Sequence, residues 1–589
     1  MTSVTFPSGV VIDNLGREAV CMTCHQGRAS GKTVDDAITN AKLTDPDQPS
    51  KDLGFTNIHY FAAAATRYGT DVKGGYEYAG QSYEPLFNHV DNMNKCQDCH
   101  DPHTLQIKID KCQVCHTNVK TVDDLKNIRM NSSLVDYNGN GNITEGIWYE
   151  VDGLRQMLYQ AIQNYAKEVA GTPIVYDEAT NPYFFIDTNA NGVADKEELT
   201  SANKYASWTP RLSKAAYNYQ TSIKDPGGFA HNGKYIIQLL FDSINDLDSR
   251  MTAKVDLTKA NRDSPGHFNG SATAFRDWDE TKIVPATCVR CHDAAGLPMY
   301  IANGTTISVT PTDGLACTTC HDSLTKYTRY QVQSVTFPST QKVAFDAQHL
   351  DANLCILCHQ GRESGASVAA SLSAYKDPDA PSDKISFKNI HYFAAGATLF
   401  GTDAKGWFEY PGKKYVGRNL HVENFNTCTD CHDAHSLAVQ TQKCSGCHGT
   451  ADVDAIRMNS KADYNGNGNT TEGLKAEVDG LRDILLNAIY NYAAKVTKKP
   501  IVYDAASYPY FFNDLNGNGI LDPEETKSDN AYKSWTPRLL EAGYNYQAAT
   551  KDPGTFAHNF TYTGQVLYDS IGDLNTKVPV EIFPKLVRP

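Results

Sequence analysis

The chain is expected to be mainly α-helical with extensive irregular loop, built as a tandem duplication. Three observations predict this: a five-residue motif that recurs eight times and takes every cysteine, an internal repeat through most of the sequence, and amphipathic helical patterns confined to stretches between the motifs.

The motif is Cys-x-x-Cys-His. It occurs at Cys21/Cys24/His25, Cys96/Cys99/His100, Cys112/Cys115/His116, Cys288/Cys291/His292, Cys317/Cys320/His321, Cys355/Cys358/His359, Cys428/Cys431/His432 and Cys444/Cys447/His448, and so uses all 16 cysteines. Two thiols one helical turn apart, followed directly by an imidazole, have the spacing that attaches a c-type haem through thioethers and coordinates its iron. Paired Cys-x-x-Cys units also build zinc ribbons, and an exported chain can close them as disulfides. Zinc does not require a histidine after every second cysteine, and such a disulfide closes a loop too short to constrain much of the unfolded chain. Eight haem c groups are therefore the expected cofactors. The two motifs between Cys96 and His116 are only eleven residues apart, so two haems must lie side by side there.

Eight haems over 589 residues leave about 74 residues for each. Porphyrin must then supply much of the apolar interior, in agreement with 41% hydrophobic residues and a mean hydropathy of -0.46. The densest apolar stretch, Ile236 to Phe241, has six residues, far below the ~18 of a membrane span. A net charge of -14 and the absence of a basic footprint argue against nucleic acid as a partner. The opening MTSVTFPSGVVIDN has neither the basic nor the apolar region of a secretory leader. Haem attachment of this kind implies export across the inner membrane, so a leader removed or left out is expected.

The repeat sets the domain boundaries. TSVTFPSG at Thr2 returns as QSVTFPST at Gln333, CMTCHQGRASG at Cys21 as CILCHQGRESG at Cys355, and NIHYFAAAATRYGTDVKGGYEY at Asn57 as NIHYFAAGATLFGTDAKGWFEY at Asn389. The offset stays near 332 through the haem pair and drops to 327 afterwards. Five modules are expected: three haems in residues 1–127, a helical calcium-binding stretch in 128–255, a two-haem insert in 256–333, three haems in 334–455, and a second helical calcium-binding stretch in 456–589. Either the ancestral unit had five haems and the front of the first copy is trimmed, or a two-haem piece was inserted.

Each helical stretch has its own periodicity. LRQMLYQAIQNYAKEVA, Leu154 to Ala170, places Leu154, Leu158, Ile162 and Tyr165 at three- and four-residue steps, and LRDILLNAIYNYAAKV repeats this from Leu481. The haem-bearing fronts read as loops and short helices, with strands at Val4 to Phe6 and Val335 to Phe337.

Two stretches in each copy carry ligand spacing for a hard cation. DTNANGVADKEE offers Asp187, Asn189, Asn191, the Val193 carbonyl, Asp195 and Glu198 around Gly192. DLNGNGILDPEE offers Asp514, Asn516, Asn518, the Ile520 carbonyl, Asp522 and Glu525 around Gly519. This is the twelve-residue EF-hand pattern, expected to bind calcium as a structural clamp, although the preceding PYFF is a poor entering helix. A weaker pair has Asp136, Asn138 and Asn140, and Asp463, Asn465 and Asn467, with Ile147 or Leu474 where a glutamate should stand. Glu145 and Glu472, or Glu150 and Glu477, would have to close those shells.

The sixth ligand on each iron separates a wire from an enzyme. Ten of the 18 histidines lie outside motifs: His59, His89, His103, His231, His267, His349, His391, His421, His435 and His558. His267 and His349 belong to the two-haem insert, and the other eight pair between copies. Each three-haem front thus has four candidates. His231 and His558 are expected to be the surplus, in the helical back where AHN could simply be a surface turn, leaving His59, His89, His103, His267, His349, His391, His421 and His435 as axial ligands with His231 and His558 as substitutes. Methionine is the other possible ligand, but only Met130/Met458 is shared, and IRMN reads as helix core.

CHQGR, NIHYFAA, CTDCHDAH, RDSPGHFNG with FRDWDE, and FAHNGKYIIQLLFDSI resemble the large multihaem c-type cytochromes of metal-reducing and related anaerobic bacteria. In that family closely packed bis-histidine haems carry electrons to acceptors outside the cell, and some members polymerise into filaments. The resemblance implies an extracellular or outer-surface electron conduit, or a periplasmic one, whose partners are other cytochromes, itself, or external acceptors. The alternative is a multihaem reductase of nitrite, hydroxylamine or a sulfur oxyanion. Such enzymes generally keep one open haem, often on a Cys-x-x-Cys-Lys variant that is absent here. A calcium-regulated surface binding protein is the third class.

Overall fold

The computed structural model describes residues 2–90, 93–130, 133, 135–264, 266–312, 314–423, 425–457 and 460–589. These divide into two compact units, one of Met1–Leu324 with His435–Leu437, the other of Thr325–Ala434 with Ala438–Pro589.

In the first unit the motif-free stretch folds as three helices: α1 (Ile147–Glu168), α2 (Pro210–Lys224) and α3 (Gly228–Asp248). The stripe Leu154, Leu158, Ile162 and Tyr165 is fully buried, packed with Leu212, Ala215 and Ala216 of α2 and Tyr235, Leu239, Leu240 and Ile244 of α3. Each such side chain removed from water contributes roughly 1.5–3 kcal/mol. This helical layer is therefore where side chains, rather than porphyrin, stabilise the unit.

α1 begins about two turns earlier than its periodicity suggests. Gly146 permits this start, because a Cβ there would lie 1.9 Å from the Lys126 carbonyl oxygen. Glu150, fully buried, pairs with Arg129 at 2.6 Å and ties the chain before the helix to its first turn. α2 starts where Thr209 accepts a hydrogen bond from the Leu212 N–H, with Pro210 in the first helical position.

α3 is broken at Asn232, whose backbone is extended (φ -168, ψ 77). The Asn232 side chain caps the helix that restarts there, accepting from Tyr235 N–H at 3.2 Å, and its amide donates to Pro85 O at 2.9 Å. Two antiparallel strands, β1 (Ile174–Tyr176) and β2 (Phe184–Ile186), join the layer. Phe184 meets the rings of Phe55 and Trp208.

The second unit has α4 (Leu474–Tyr492), α5 (Pro537–Lys551) and α6 (Thr555–Asn575), with β3 (Ile501–Tyr503) antiparallel to β4 (Phe511–Asn513). Leu481, Leu485, Ile489 and Tyr492 are buried along α4. α6 breaks at Asn559 (φ -165, ψ 81), which caps Tyr562 N–H and donates to Gly417 O.

Short helices and loops make up the remainder, as composition suggests. The expected strands are two residues each, Val4–Thr5 against Val11–Ile12 and Val335–Thr336 against Lys342–Val343. Met130 lies in irregular chain and is 37% exposed rather than in helix core, and Met458 falls outside the described residues. No helix among the described residues is long and apolar enough to cross a membrane.

Candidate haem-binding sites

Every motif is wound into a short helix or turn that turns both cysteines toward one side, since residues three apart are neighbours on a helix. The helices are Glu18–His25, Cys96–Cys99, Ile109–Cys112, Ala286–His292 and Cys317–Cys320 in the first unit, and Asn353–His359, Cys428–Cys431 and Gln442–His448 in the second. At Cys96 and Cys428 the following histidine closes the turn, its N–H donating to the first cysteine carbonyl, and the chain then leaves extended.

Of the sixteen cysteines, read from the sequence as thioether anchors, none is joined to another as a disulfide. They also differ in shelter. Cys24, Cys115, Cys317, Cys431 and Cys447 are exposed, whereas Cys21, Cys96, Cys99, Cys112, Cys288, Cys291, Cys320, Cys355, Cys358, Cys428 and Cys444 are half-buried. An apolar thiol is ordinarily among the most buried of side chains. The reason for the departure is that these turns carry few buried side chains of their own, Cys96–Cys99, Ile109–Cys112, Cys428–Cys431 and Gln442–His448 having none. Among the described residues no three His, Cys, Asp or Glu side chains gather as a metal-holding group.

Three motif imidazoles are each held by one nitrogen. The Nδ1–H of His25 donates to Phe61 O at 2.7 Å, that of His359 to Phe393 O at 2.7 Å, and that of His292 to Ala274 O at 2.8 Å. This fixes the tautomer and leaves Nε2 for iron. At His25 and His359 the carbonyls are presented by an unusual backbone: His59 and Phe61, and likewise His391 and Phe393, are in the left-handed region (φ 76, 54, 77 and 54). Non-glycine residues persist there where surrounding bonds over-determine them. Asn57 accepts from His59 N–H and Lys224 O from Phe61 N–H; Asn389 and Lys551 do the same for His391 and Phe393.

Long-range packing then brings a second imidazole opposite five of the motif histidines. Ring centroids are 6.4 Å apart for His100 and His231, 6.1 Å for His116 and His89, 6.3 Å for His321 and His435, 6.3 Å for His432 and His558, and 5.9 Å for His448 and His421. A metal–nitrogen bond of about 2 Å, with each ring centre roughly 1.1 Å further on, places two imidazoles on opposite faces of one iron about 6.3 Å apart. The donor set thus fits haem with histidine above and below. Burial pushes His100, His116 and His89 down, toward the neutral form that ligates.

His231 and His558, read as the surplus and as substitutes, lie in helix rather than in a surface turn. Both sit in the first turn of a helix, α3 and α6, just before the break at Asn232 or Asn559. The break lets that turn aim away from the helix body, and the glycine four residues earlier makes room: a Cβ on Gly227 or Gly554 would lie 2.6 Å from the imidazole. His231 Nδ1–H donates to Asp225 at 2.9 Å, and His558 Nδ1–H to Asp552 at 2.9 Å. Burial works against the charge on these imidazoles, but the buried aspartates outweigh it and the net shift is upward. The three-residue AHN string carried no signal of this; the Asp six residues before each histidine was the available one.

The other candidates are placed as follows. The His59 ring is 5.7 Å from Tyr60 and that of His391 6.3 Å from Tyr392. His349 Nδ1 meets Asp346 at 2.7 Å, the His267 carbonyl accepts from Leu315 N–H, and His103 is exposed on a loop capped by Asp101. Motifs also lie near one another within each unit. Cys355 lies within the electrostatic reach of Cys428, Cys96 within that of Cys21, and Cys99 and Cys431 within that of Cys112 and Cys444.

The cation loops hang from strands, not helices: Asp187 follows β2 and Asp514 follows β4. Asp187 accepts from Gly192 N–H at 2.8 Å, Asn189 and Asn191 both donate to Asp195 at 2.8 Å, and Glu198 accepts from Thr188 and Asp195 N–H. Asp514, Asn516, Asn518, Asp522 and Glu525 converge in the same way. In the weaker loops Glu145 and Glu472 meet Asn138/Asn140 and Asn465/Asn467. Glu150 and Glu477 are instead engaged by Arg129 and Arg457 and by backbone N–H groups.

Paired thiols with imidazoles on two faces are the donor set of a multihaem c-type cytochrome, and the homologues of this chain are polyhaem c-type cytochromes. The chain is 27% identical over 435 residues to the C-type polyheme cytochrome OmcC of Geobacter sulfurreducens, covering 62% of this chain and 52% of the relative. It is 27% identical over 370 residues to OmcB from two strains of the same organism, covering 52% and 46%. The chain spans about half the length of the curated relatives it matches. No family model and no solved structure matches it.

Proposed function

We propose that the chain is an octahaem c-type cytochrome that passes electrons along closely spaced bis-histidine haems and is not an enzyme. The observation that carries this reading is the set of five facing imidazole pairs at 5.9–6.4 Å. An iron closed on both faces exchanges electrons and binds no substrate. The proposed axial pairs are His100/His231, His116/His89, His321/His435, His432/His558 and His448/His421. His59 serves the His25 haem, His391 the His359 haem, and His267 the His292 haem. The thioethers are proposed at all eight cysteine pairs, the exposed Cys24, Cys115 and Cys447 and the half-buried Cys291 and Cys358 included.

The neighbouring motif cysteines support short haem-to-haem steps. Calcium in the 187–198 and 514–525 loops, and more weakly at 136–145 and 463–472, clamps the helical modules; the converging oxygen donors support this. Haem attachment implies export across the inner membrane, and the resemblance to multihaem cytochromes supports a place at the outer surface or beyond, with the periplasm as the alternative. Other cytochromes and external acceptors are the partners, and copies of the chain can join as a filament, which negative-stain microscopy of native material tests.

The holoprotein should show only low-spin haem in optical and electron paramagnetic resonance spectra and bind carbon monoxide slowly. His421→Ala should convert one haem of the eight to a high-spin, carbon-monoxide-binding form. A wild-type protein with a substantial high-spin fraction would favour a reductase.

A further inference from the structure

Two buried lysine side chains lie outside the imidazole pairs, the cation loops and the apolar core, at equivalent places in the two copies. Lys224 ends α2 and Lys551 ends α5, and they are only 3% and 1% exposed. A lysine is almost never buried this far unless its ammonium is paired. Burial pushes both amines down, Lys551 to about 8.

Ring faces and one carbonyl satisfy each ammonium. Lys224 Nζ lies 3.7 Å from the centre of the Tyr60 ring and 4.5 Å from that of Tyr183, and donates to Glu178 O at 3.2 Å. Lys551 Nζ lies 3.1 Å from Tyr392 and 4.1 Å from Tyr510, and donates to Ala505 O at 3.1 Å. The tyrosine hydroxyls converge on the same carbonyls, Tyr60 on Glu178 O and Tyr392 on Ala505 O. Glu178 and Ala505 occupy the tips of the β1–β2 and β3–β4 hairpins, and their side chains differ while the contact persists. The backbone carbonyl is therefore the partner that matters.

Tyr60 and Tyr392 stand in the middle of the two axial turns. Each has a left-handed residue on either side, His59 and Phe61 or His391 and Phe393. The first of these is a proposed axial ligand, and the second gives its carbonyl to the motif imidazole of His25 or His359. Both tyrosines are 42% exposed, so packing alone does not hold them. The ammonium reaches out from the helical layer and ties the ring to the hairpin tip. The same lysine's carbonyl accepts from Phe61 or Phe393 N–H. One residue thus grips each turn twice, by side chain and by main chain.

We propose that Lys224 and Lys551 are positioning residues for the His25 and His359 haems. The ammonium fixes the turn that presents both axial groups, the His59 or His391 imidazole for one face and the carbonyl that orients the motif histidine on the other. A lysine suits the place because a compact ammonium on a long stem meets two ring faces and a carbonyl at once. The inference rests on the pairings His25/His59 and His359/His391 proposed above.

The test uses the holoprotein, read by electron paramagnetic resonance and spectroelectrochemistry. Lys224→Met keeps the stem and removes the charge and the donor. It should move the low-spin signal and the potential of one haem and leave the other seven as in wild type. Tyr60→Leu, at an exposed position that the fold tolerates, should move the same haem. The double variant should move it no further than the larger single change, because both substitutions break one link. His59→Ala identifies the haem by turning it high-spin. The proposal is overturned if Tyr60→Leu and Lys224→Met leave all eight haems as in wild type, if they move a different haem from the one His59→Ala exposes, or if their effects add. A fully low-spin His59→Ala protein would mean instead that the His25/His59 pairing itself is wrong.

Discussion

Asp225 and Asp552 are predicted to set the potentials of two haems. Each carboxylate is buried and accepts the Nδ1–H of a proposed axial imidazole at 2.9 Å. A negative charge there stabilises the ferric state, which carries one more positive charge than the ferrous. From the carboxylate across the imidazole to the iron is about 7 Å, so one unit charge at an effective dielectric of about 20 contributes about 2.4 kcal/mol. His231 is partly open to solvent, which reduces this to roughly 1–2 kcal/mol, or about 40–85 mV for a one-electron couple. Asp225→Asn keeps the shape and a hydrogen-bonding oxygen but removes the charge. The potential of the His100 haem should therefore rise by that amount, and Asp552→Asn should do the same for the His432 haem. Spectroelectrochemical titration of wild type, each single variant and the double variant reads the shift, with electron paramagnetic resonance confirming low-spin haem throughout. Unchanged potentials in a fully low-spin double variant would refute the reasoning, and a downward shift would reverse it.

Three further outcomes are expected. Arg129→Met leaves the fully buried Glu150 carboxylate without its partner and should cost roughly 3–5 kcal/mol in denaturant unfolding, much of which Arg129→Met/Glu150→Leu should restore. Burial lifts Glu541 from 4.5 to about 8, with Asp573 adding and Arg538 opposing. Its contribution is full below the unfolded value and fades as pH rises through about 8, so thermal melting of the helical layer should fall between pH 5 and pH 9, and Glu541→Gln should flatten that slope. Removing calcium with a chelator should lower the melting temperature without changing the haem spectra. If Asp187→Ala/Asp514→Ala melts as wild type does with or without calcium, the loops are not clamps.

The attachment motifs and the helical layer were legible because each is local. A Cys-x-x-Cys-His motif contains its own geometry within five residues, and the stripe Leu154, Leu158, Ile162, Tyr165 declares a buried helix face by spacing alone. How far each sulfur is sheltered was not legible: Cys24, Cys115 and Cys447 are exposed while Cys291 and Cys358 are half-buried, a difference made by the surrounding chain and not by the motif. The early start of α1 was missed because the Gly146–Lys126 approach is tertiary. The strand-borne cation loops were legible in their ligand positions, though not in their supports.

Axial pairing was a different kind of problem. His231 faces a motif histidine 131 residues earlier in the chain, and only the break at Asn232, the space above Gly227 and the anchoring Asp225 carboxylate aim it there. His103 and His435 stand in nearly identical strings and are both exposed, yet the His435 ring lies 6.3 Å from that of His321. Residue type and spacing alone determined where the attachment motifs fall and which helices bury a face. Which imidazole faces which motif histidine was decided by tertiary structure, because a sixth ligand is chosen by proximity in space and its neighbours in the chain do not encode that distance.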